Sequence, residues 1–331
     1  MKPKTGASRI IERWRLAVAP VLGVAALAGL SSSHARAEGE GSPESQATFN
    51  ERCATRISSS ILGTSASADM LDSPNPQAMV DVMLNSGVFF ERFSRFVNAS
   101  FNRESVAAPE KEPVYFLAKH VLTNGKPWSD LFVGKYNVDL VGTTGVQVQE
   151  DPKGLGYFRS APWVLRYAGN EQAGIKISTA YRMMQNIVGL ELVATTNAPD
   201  ADISATGRTG DNCKGCHYTN WYALDKVAGV LSKKVVDPVD SQKITFVEYT
   251  GAPQSILGKA SVGNDSDVVH ALVDSVNFTF NTCRLSFKYL YGRAETSCEG
   301  PIFDECVNAF RSTGRVQSAI AAIAKNRSFC E

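Results

Sequence analysis

Apolar positions recur at helical spacing along most of this chain. In AMVDVMLNSGVFFERFSRFVNASF (78–101), Met79, Val82, Met83, Phe89, Phe90, Phe93 and Phe96 fall largely three or four apart, which predicts a helix with one apolar face. VYFLAKHVLTNGKPWSDLFVGKY reads as two helices around the turn Asn124-Gly125-Lys126-Pro127. QAGIKISTAYRMMQNIVGLEL (172–192) predicts another helix, NWYALDKVAGVLSKKV predicts a further one, and the pattern from Asp265 onward is helical. Strand character is confined to KITFVEY (243–249), followed by the turn Gly251-Ala-Pro253, and to one short strand within the Gly- and Pro-rich loop text of 138–167. LDSPNPQ (71–77) and SVAAPEKEP (105–113) interrupt the periodic segments, and no internal repeat is visible. The expectation is a mainly α protein with a few short strands.

The N-terminus changes the picture by giving a compartment. Lys2, Lys4, Arg9, Arg13 and Arg15 form a basic leader, Leu16 to Leu30 an apolar core, and Ala35-Arg36-Ala37 a small-residue site, so residues 1–37 read as a signal peptide. That run is short for a membrane span and is broken by Pro20. The expected mature protein is periplasmic or secreted, begins with a flexible lead over 38–47, and has no membrane span after cleavage. Cleavage turns the formal net charge of +1 slightly negative, and with no basic stripe nucleic acid is not an expected partner.

The chain has 7 cysteines, which suits an oxidising compartment. Two belong to the motif below. Cys283, Cys298, Cys306 and Cys330 cluster near the C-terminus, where disulfides Cys298–Cys306 and Cys283–Cys330 are the expected pairing among the three possible ones, with Cys53 alone.

The chemistry is concentrated in DNCKGCHY (211–218). In Cys-x-x-Cys-His, a short turn presents two thiols to the vinyl groups of a haem while the following imidazole meets the iron. Cys213 and Cys216 are therefore the attachment residues for one covalent haem c, and His217 is its proximal iron ligand. A zinc site would need four ligands, and there is neither a second CxxC nor a paired histidine. A thioredoxin-like dithiol expects a strand leading into the motif within a βαβ unit, which the pattern does not provide.

No methionine follows His217 to serve as the second axial ligand. The candidate distal ligands are His270 in DVVHALVDSV, His120 in YFLAKHVLT, and Met183 or Met184 on the helix before the motif; Met70, Met79 and Met83 complete the set, and an open position is the remaining option. Each of these residues could equally pack in a core. Tyr218, Trp221 and Tyr222 are expected to wall the haem, and Lys226, Lys233 and Lys234 are either a docking patch or a solvated face.

CKGCHYTNWYALDKVAG resembles the haem-bearing module of planctomycete-type cytochrome c proteins, which carry associated domains of unknown function. VDVMLNSGVFFERFSRFV, VYFLAKHVLTNGKPWSDLFVGKYNVDLVG and IKISTAYRMMQNIVG resemble segments of that family in the same order. The terminal stretch from Cys283 to Cys330 resembles its closing helical module. The family's Asp-Pro turn after the motif is replaced here by Tyr218-Thr-Asn-Trp221. The resemblance implies an exported protein with a single c-type haem.

The resulting expectation is helical modules around one covalently bound c-type haem: an N-terminal helical region over 48–170, a haem-binding module over 171–240 and a disulfide-bearing helical module over 241–331. Its leading function is electron transfer with an unidentified redox partner protein. The alternatives are a peroxidase-like enzyme or a gas or redox sensor with an open iron position, where Arg166 or Arg182 could assist, and a binding module in which haem is structural.

Overall fold

Several helices begin where a serine or asparagine side chain satisfies a free backbone amide. The computed structural model describes residues 45–102, 112–141, 145–167, 176–192, 200–241, 243–258 and 260–331. The expected signal segment and cleavage site, most of the expected flexible lead and most of the 105–113 break lie outside them. Ser45 accepts from the Thr48 amide to cap α1 (Gln46–Ile61), so the last two residues of the expected lead are already helical. The short α2 (Ala68–Leu71) and α3 (Val80–Leu84) follow. The helix expected over 78–101 is divided, because Ser86 adopts an extended conformation and caps the new helix α4 (Gly87–Phe101) by accepting from the Phe89 amide. Pro113 opens α5 (Pro113–Thr123), and Gly125, at φ +59°, makes the expected turn toward α6 (Asp130–Val133).

The stretch expected to be loop is more ordered than its composition indicates. β1 (Tyr136–Val141) and β2 (Gly145–Glu150) form an antiparallel hairpin with Val138 opposite Val148, and α7 (Ala161–Tyr167) follows. Gly156, at φ +50°, lies against the Leu131 and Phe132 backbone, so close that a Cβ would sit 2.2 Å from the Leu131 carbonyl oxygen. That approach packs Tyr157 and Phe158 under α6.

α8 (Ile177–Val188) is the expected helix ahead of the motif, ended by the left-handed Gly189. After the motif, α9 (Leu224–Val230) is shorter than expected. The chain extends at Leu231 and enters β3 (Lys233–Val236), where the β-branched pair Val235-Val236 joins a ladder with β4 (Ile244–Val247). A small hairpin of β5 (Gln254–Ile256) and β6 (Ala260–Val262) precedes the helical C-terminus: α10 (Asp265–Val273), α11 (Val276–Tyr291), α12 (Gly300–Thr313) and α13 (Val316–Lys325). The described chain is mainly helical, with three two-stranded sheets among the described residues.

Side chains from all three expected modules enter one core. α11 is its central strut, packing against α1, α8, α12 and α13. Phe89, Phe93, Trp128 and Tyr289 form an aromatic cluster, with Tyr289 edge-on to Phe93 at a centroid distance of 4.9 Å. A second cluster, Phe132, Tyr157, Phe158, Trp163 and Phe278, ties α6 and α7 to α11.

The expected disulfides are corrected. Cys53 pairs with Cys330 and Cys283 with Cys306, while Cys298 is free and exposed. Cys298 is only eight residues from Cys306 but sits on the turn before α12 rather than on its inner face. Cys306 faces the buried side of α11, where Cys283 meets it, and Cys53 on α1 meets the returning C-terminus. Helix packing decided the partners, and neighbourhood in sequence did not.

Candidate functional site

The motif lies in a tight coil between a surface turn and α9. The Cys213 and Lys214 amides both donate to the Gly210 carbonyl, at 2.9 and 2.8 Å, and the His217 amide donates to the Cys213 carbonyl at 3.2 Å. Gly215–Thr219 then widens into a π-helical turn, closed by the Asn220 amide on the Gly215 carbonyl at 2.8 Å. Such turns are often found at functional sites. The coil leaves Cys216 exposed, with Cys213 and His217 half-buried, and neither cysteine is in a disulfide.

The chain then folds back so that the first turn of α9 approaches the histidine. Ala223, at φ +25°, makes that reversal, and its small side chain limits the strain of a left-handed backbone. Leu224, Val227, Ala228 and Val230 bury the inner face of α9 against α8, fixing where Asp225 stands. The Leu257 amide donates to the Trp221 carbonyl at 2.8 Å, fastening the loop between motif and helix to the β5–β6 hairpin.

Asp225 is the organising group. Its Oδ2 lies 2.5 Å from Nδ1 of His217. Its Oδ1 accepts from Nε and Nη2 of Arg208, at 3.1 and 2.9 Å, and from the Tyr218 hydroxyl at 3.3 Å. Arg208 is held in turn through Nη1, which donates to the Ile203 carbonyl at 2.6 Å. The side chains of Asp225 and Arg208 are 8% and 12% exposed, so little solvent competes for this ion pair. Burial and the neighbouring Asp225 carboxylate push the Tyr218 phenol up. On the other side of the coil, the Tyr222 hydroxyl donates to Cys216 Sγ at 3.3 Å and accepts from Asn220 Nδ2 at 2.9 Å.

Cys213, Cys216 and His217 are the residues that could hold a covalent haem. Both thiols are outside disulfides, and with Nδ1 turned to Asp225, Nε2 of His217 is the nitrogen left for a metal. The aromatics expected to wall the haem differ in their burial. Tyr222 is buried, whereas Trp221 is 41% exposed and stands edge-on to it at 5.3 Å. Among the described residues, no group of three or more His, Cys, Asp or Glu side chains is placed to hold a metal ion.

Met183 and Met184 are buried core residues of α8, at 3% and 0% exposure. His120, on α5, stands edge-on to Tyr136 at 5.0 Å and lies 3.3 Å from Asn124 Nδ2; burial, with help from nearby Lys126, pushes its imidazole pKa down. His270 is exposed on α10 rather than packed among the apolar residues around it. Of the three lysines, Lys226 and Lys234 are half-buried and Lys234 reaches the Val164 carbonyl at 3.5 Å, leaving Lys233 exposed. Arg166 is paired with Glu112 at 2.5 Å, and Arg182 lies over the Tyr167 ring at 5.1 Å.

Sequence reasoning missed Asp225 and Arg208. The available signal was an acidic residue in the first turn of the helix that follows the motif, where a carboxylate also meets the positive end of the helix dipole. Compared with known proteins, the chain matches no family model, no curated protein and no solved structure.

Proposed function

We propose that this chain is an exported c-type cytochrome with one covalent haem, acting in electron transfer with a partner protein in the periplasm or outside the cell. The observation that carries the reading is the bond between His217 Nδ1 and Asp225 Oδ2 beside two free thiols in Cys-x-x-Cys-His spacing. Metal-ligating histidines almost always give their second nitrogen to such a partner. The two disulfides elsewhere are compatible with an oxidising compartment.

Cys213 and Cys216 would hold the group through two thioether bonds, and His217 would bind the iron. When bound, the haem supplies one-electron Fe(III)/Fe(II) chemistry. The protein contributes orientation: Asp225 keeps the Nδ1 proton on His217, Arg208 keeps the carboxylate in place, and Tyr222 orders the Cys216 side. The resemblance to planctomycete-type cytochrome c proteins points the same way.

A second reading, an iron open on its far side and working in a peroxidase-like enzyme or a sensor, is favoured by one observation. Met183 and Met184, two of the candidate distal ligands, are committed to the core.

The test is expression of the full chain in a host competent for covalent haem attachment, followed by mass measurement after denaturation. A mass increase of one haem that disappears in the Cys213→Ser/Cys216→Ser variant supports the proposal, and an unmodified wild-type chain refutes it. Carbon monoxide then separates the two readings: a ferrous spectrum unchanged by the gas supports electron transfer, and ready binding supports the open iron.

A further inference from the structure

Asp225 is held on both sides by donors that compete for its negative charge. Oδ2 faces the imidazole, while Oδ1 carries the Arg208 guanidinium and the Tyr218 hydroxyl. A carboxylate accepting the Nδ1 proton makes the opposite nitrogen of an imidazole a stronger donor. Arg208 acts against this by drawing the same carboxylate's charge toward itself. Both groups are largely out of solvent, at 8% and 12% side-chain exposure, so neither effect is lost to screening.

We infer that Asp225 is the positioning residue that sets the redox poise of the His217-bound iron, biasing it toward the ferric state, and that Arg208 limits the size of that bias. This rests on the haem reading above. Asp225 touches neither the iron nor an electron partner; it works through one imidazole. A carboxylate on Nδ1 raises the electron density that His217 offers, and the more highly charged metal gains more from it. The midpoint potential is therefore lower than it would be with a neutral acceptor on Nδ1. The arrangement also accounts for burying an arginine–aspartate pair beside an exposed coil: Arg208 holds the carboxylate at one angle, so the ring of His217 cannot rotate away.

The experiment is a spectroelectrochemical titration of the intact haem-loaded protein against Asp225→Asn, Arg208→Gln and the double variant, with haem content read by mass in every case. Asn preserves size and a carbonyl acceptor but removes the charge. Asp225→Asn should increase the ferrous to ferric ratio at fixed ambient potential by tenfold or more, about 59 mV for a one-electron couple. Arg208→Gln should shift it the opposite way. The double variant removes one charge of each sign; it should stay as high as Asp225→Asn if the Nδ1 bond is the cause, and return to the wild-type value if the effect is only long-range charge. A raised single variant with a restored double variant overturns the inference, as does haem-loaded Asp225→Asn with an unchanged potential. Loss of covalent haem from the wild-type chain is a separate failure, of the haem reading itself. If Asp225→Asn does not load haem, Arg208→Gln decides: a lowered potential supports the inference, and an unchanged one overturns it as stated, because Arg208 then limits nothing.

Discussion

Cys53 and Cys330, 277 residues apart in the chain, are joined by a disulfide with their Cα atoms 4.7 Å apart. The bond fastens α1 to the last turn of the protein and closes almost the whole described chain into a loop. Both residues are at most 1% exposed, so the link belongs to the core rather than to a surface staple. Its removal by Cys53→Ala/Cys330→Ala should cost about 2–5 kcal/mol, the usual range for a native disulfide. Urea unfolding of the oxidised protein and the variant measures it. A midpoint that does not move would mean that burial alone holds α1 in place.

The ion cluster around Arg159 should be uneven in its contributions. Asp265, 7% exposed, meets Arg159 Nη2 at 2.7 Å, while Glu248, 52% exposed, meets the same nitrogen at 2.8 Å. Asp265→Asn leaves a mostly buried guanidinium without its closest buried partner, and a loss toward the lower end of about 3–5 kcal/mol is expected. Glu248→Gln should cost no more than about 1 kcal/mol because solvent already screens that pair. Equal losses in chemical unfolding would show that burial does not separate the two.

Glu91 gives a pH dependence with a definite sign. Burial works against its charge, but hydrogen bonds from Lys119, Tyr115 and Arg95 overcome it and hold the carboxyl at about 2, against an ordinary value of 4.5. The folded state therefore resists protonation where the unfolded chain accepts it. The contribution is complete above the unfolded value and is lost as pH falls from about 4.5 toward 2. In Glu91→Gln the difference from wild type, read from urea midpoints, should be largest near neutral pH and shrink across that window. A difference that grows on acidification would contradict the assignment.

Gly189 ends α8 at φ +72°, and a Cβ there would lie 2.6 Å from Asn281 Oδ1. Asn281 Nδ2 donates to the Asn186 and Ile187 carbonyls, at 3.1 and 3.2 Å, supplying partners to the free end of the helix. Gly189→Ala should cost at least about 1–2 kcal/mol from the left-handed backbone alone. Part of the total comes from displacing Asn281, so combining it with Asn281→Ala should give less than the sum of the two losses. Strict additivity in thermal or chemical unfolding would place the whole cost in the backbone.

Local periodicity made α4, α5, α8 and the four C-terminal helices legible, because each keeps an apolar face at helical spacing that a core can bury. The break at Asn85 and Ser86 was hidden inside a continuous apolar pattern, since it depends on a serine leaving the helical conformation to cap the next helix. The β1–β2 hairpin was obscured by the glycines around it, and its stability depends on contacts with α5 and α7. At the site, the closeness of Cys213, Cys216 and His217 was legible from the sequence alone, because they fall within five consecutive residues.

The sequence by itself determined the helical class of the protein and the grouping of Cys213, Cys216 and His217 within five residues, both of which follow from order along the chain. Only the tertiary structure decided which cysteine meets which, that Met183 and Met184 belong to the core, and that Asp225 and Arg208 stand behind His217. The physical reason is direction: spacing in sequence says which residues share a helix face, but the angle at which that face meets another helix is fixed by packing of the whole core.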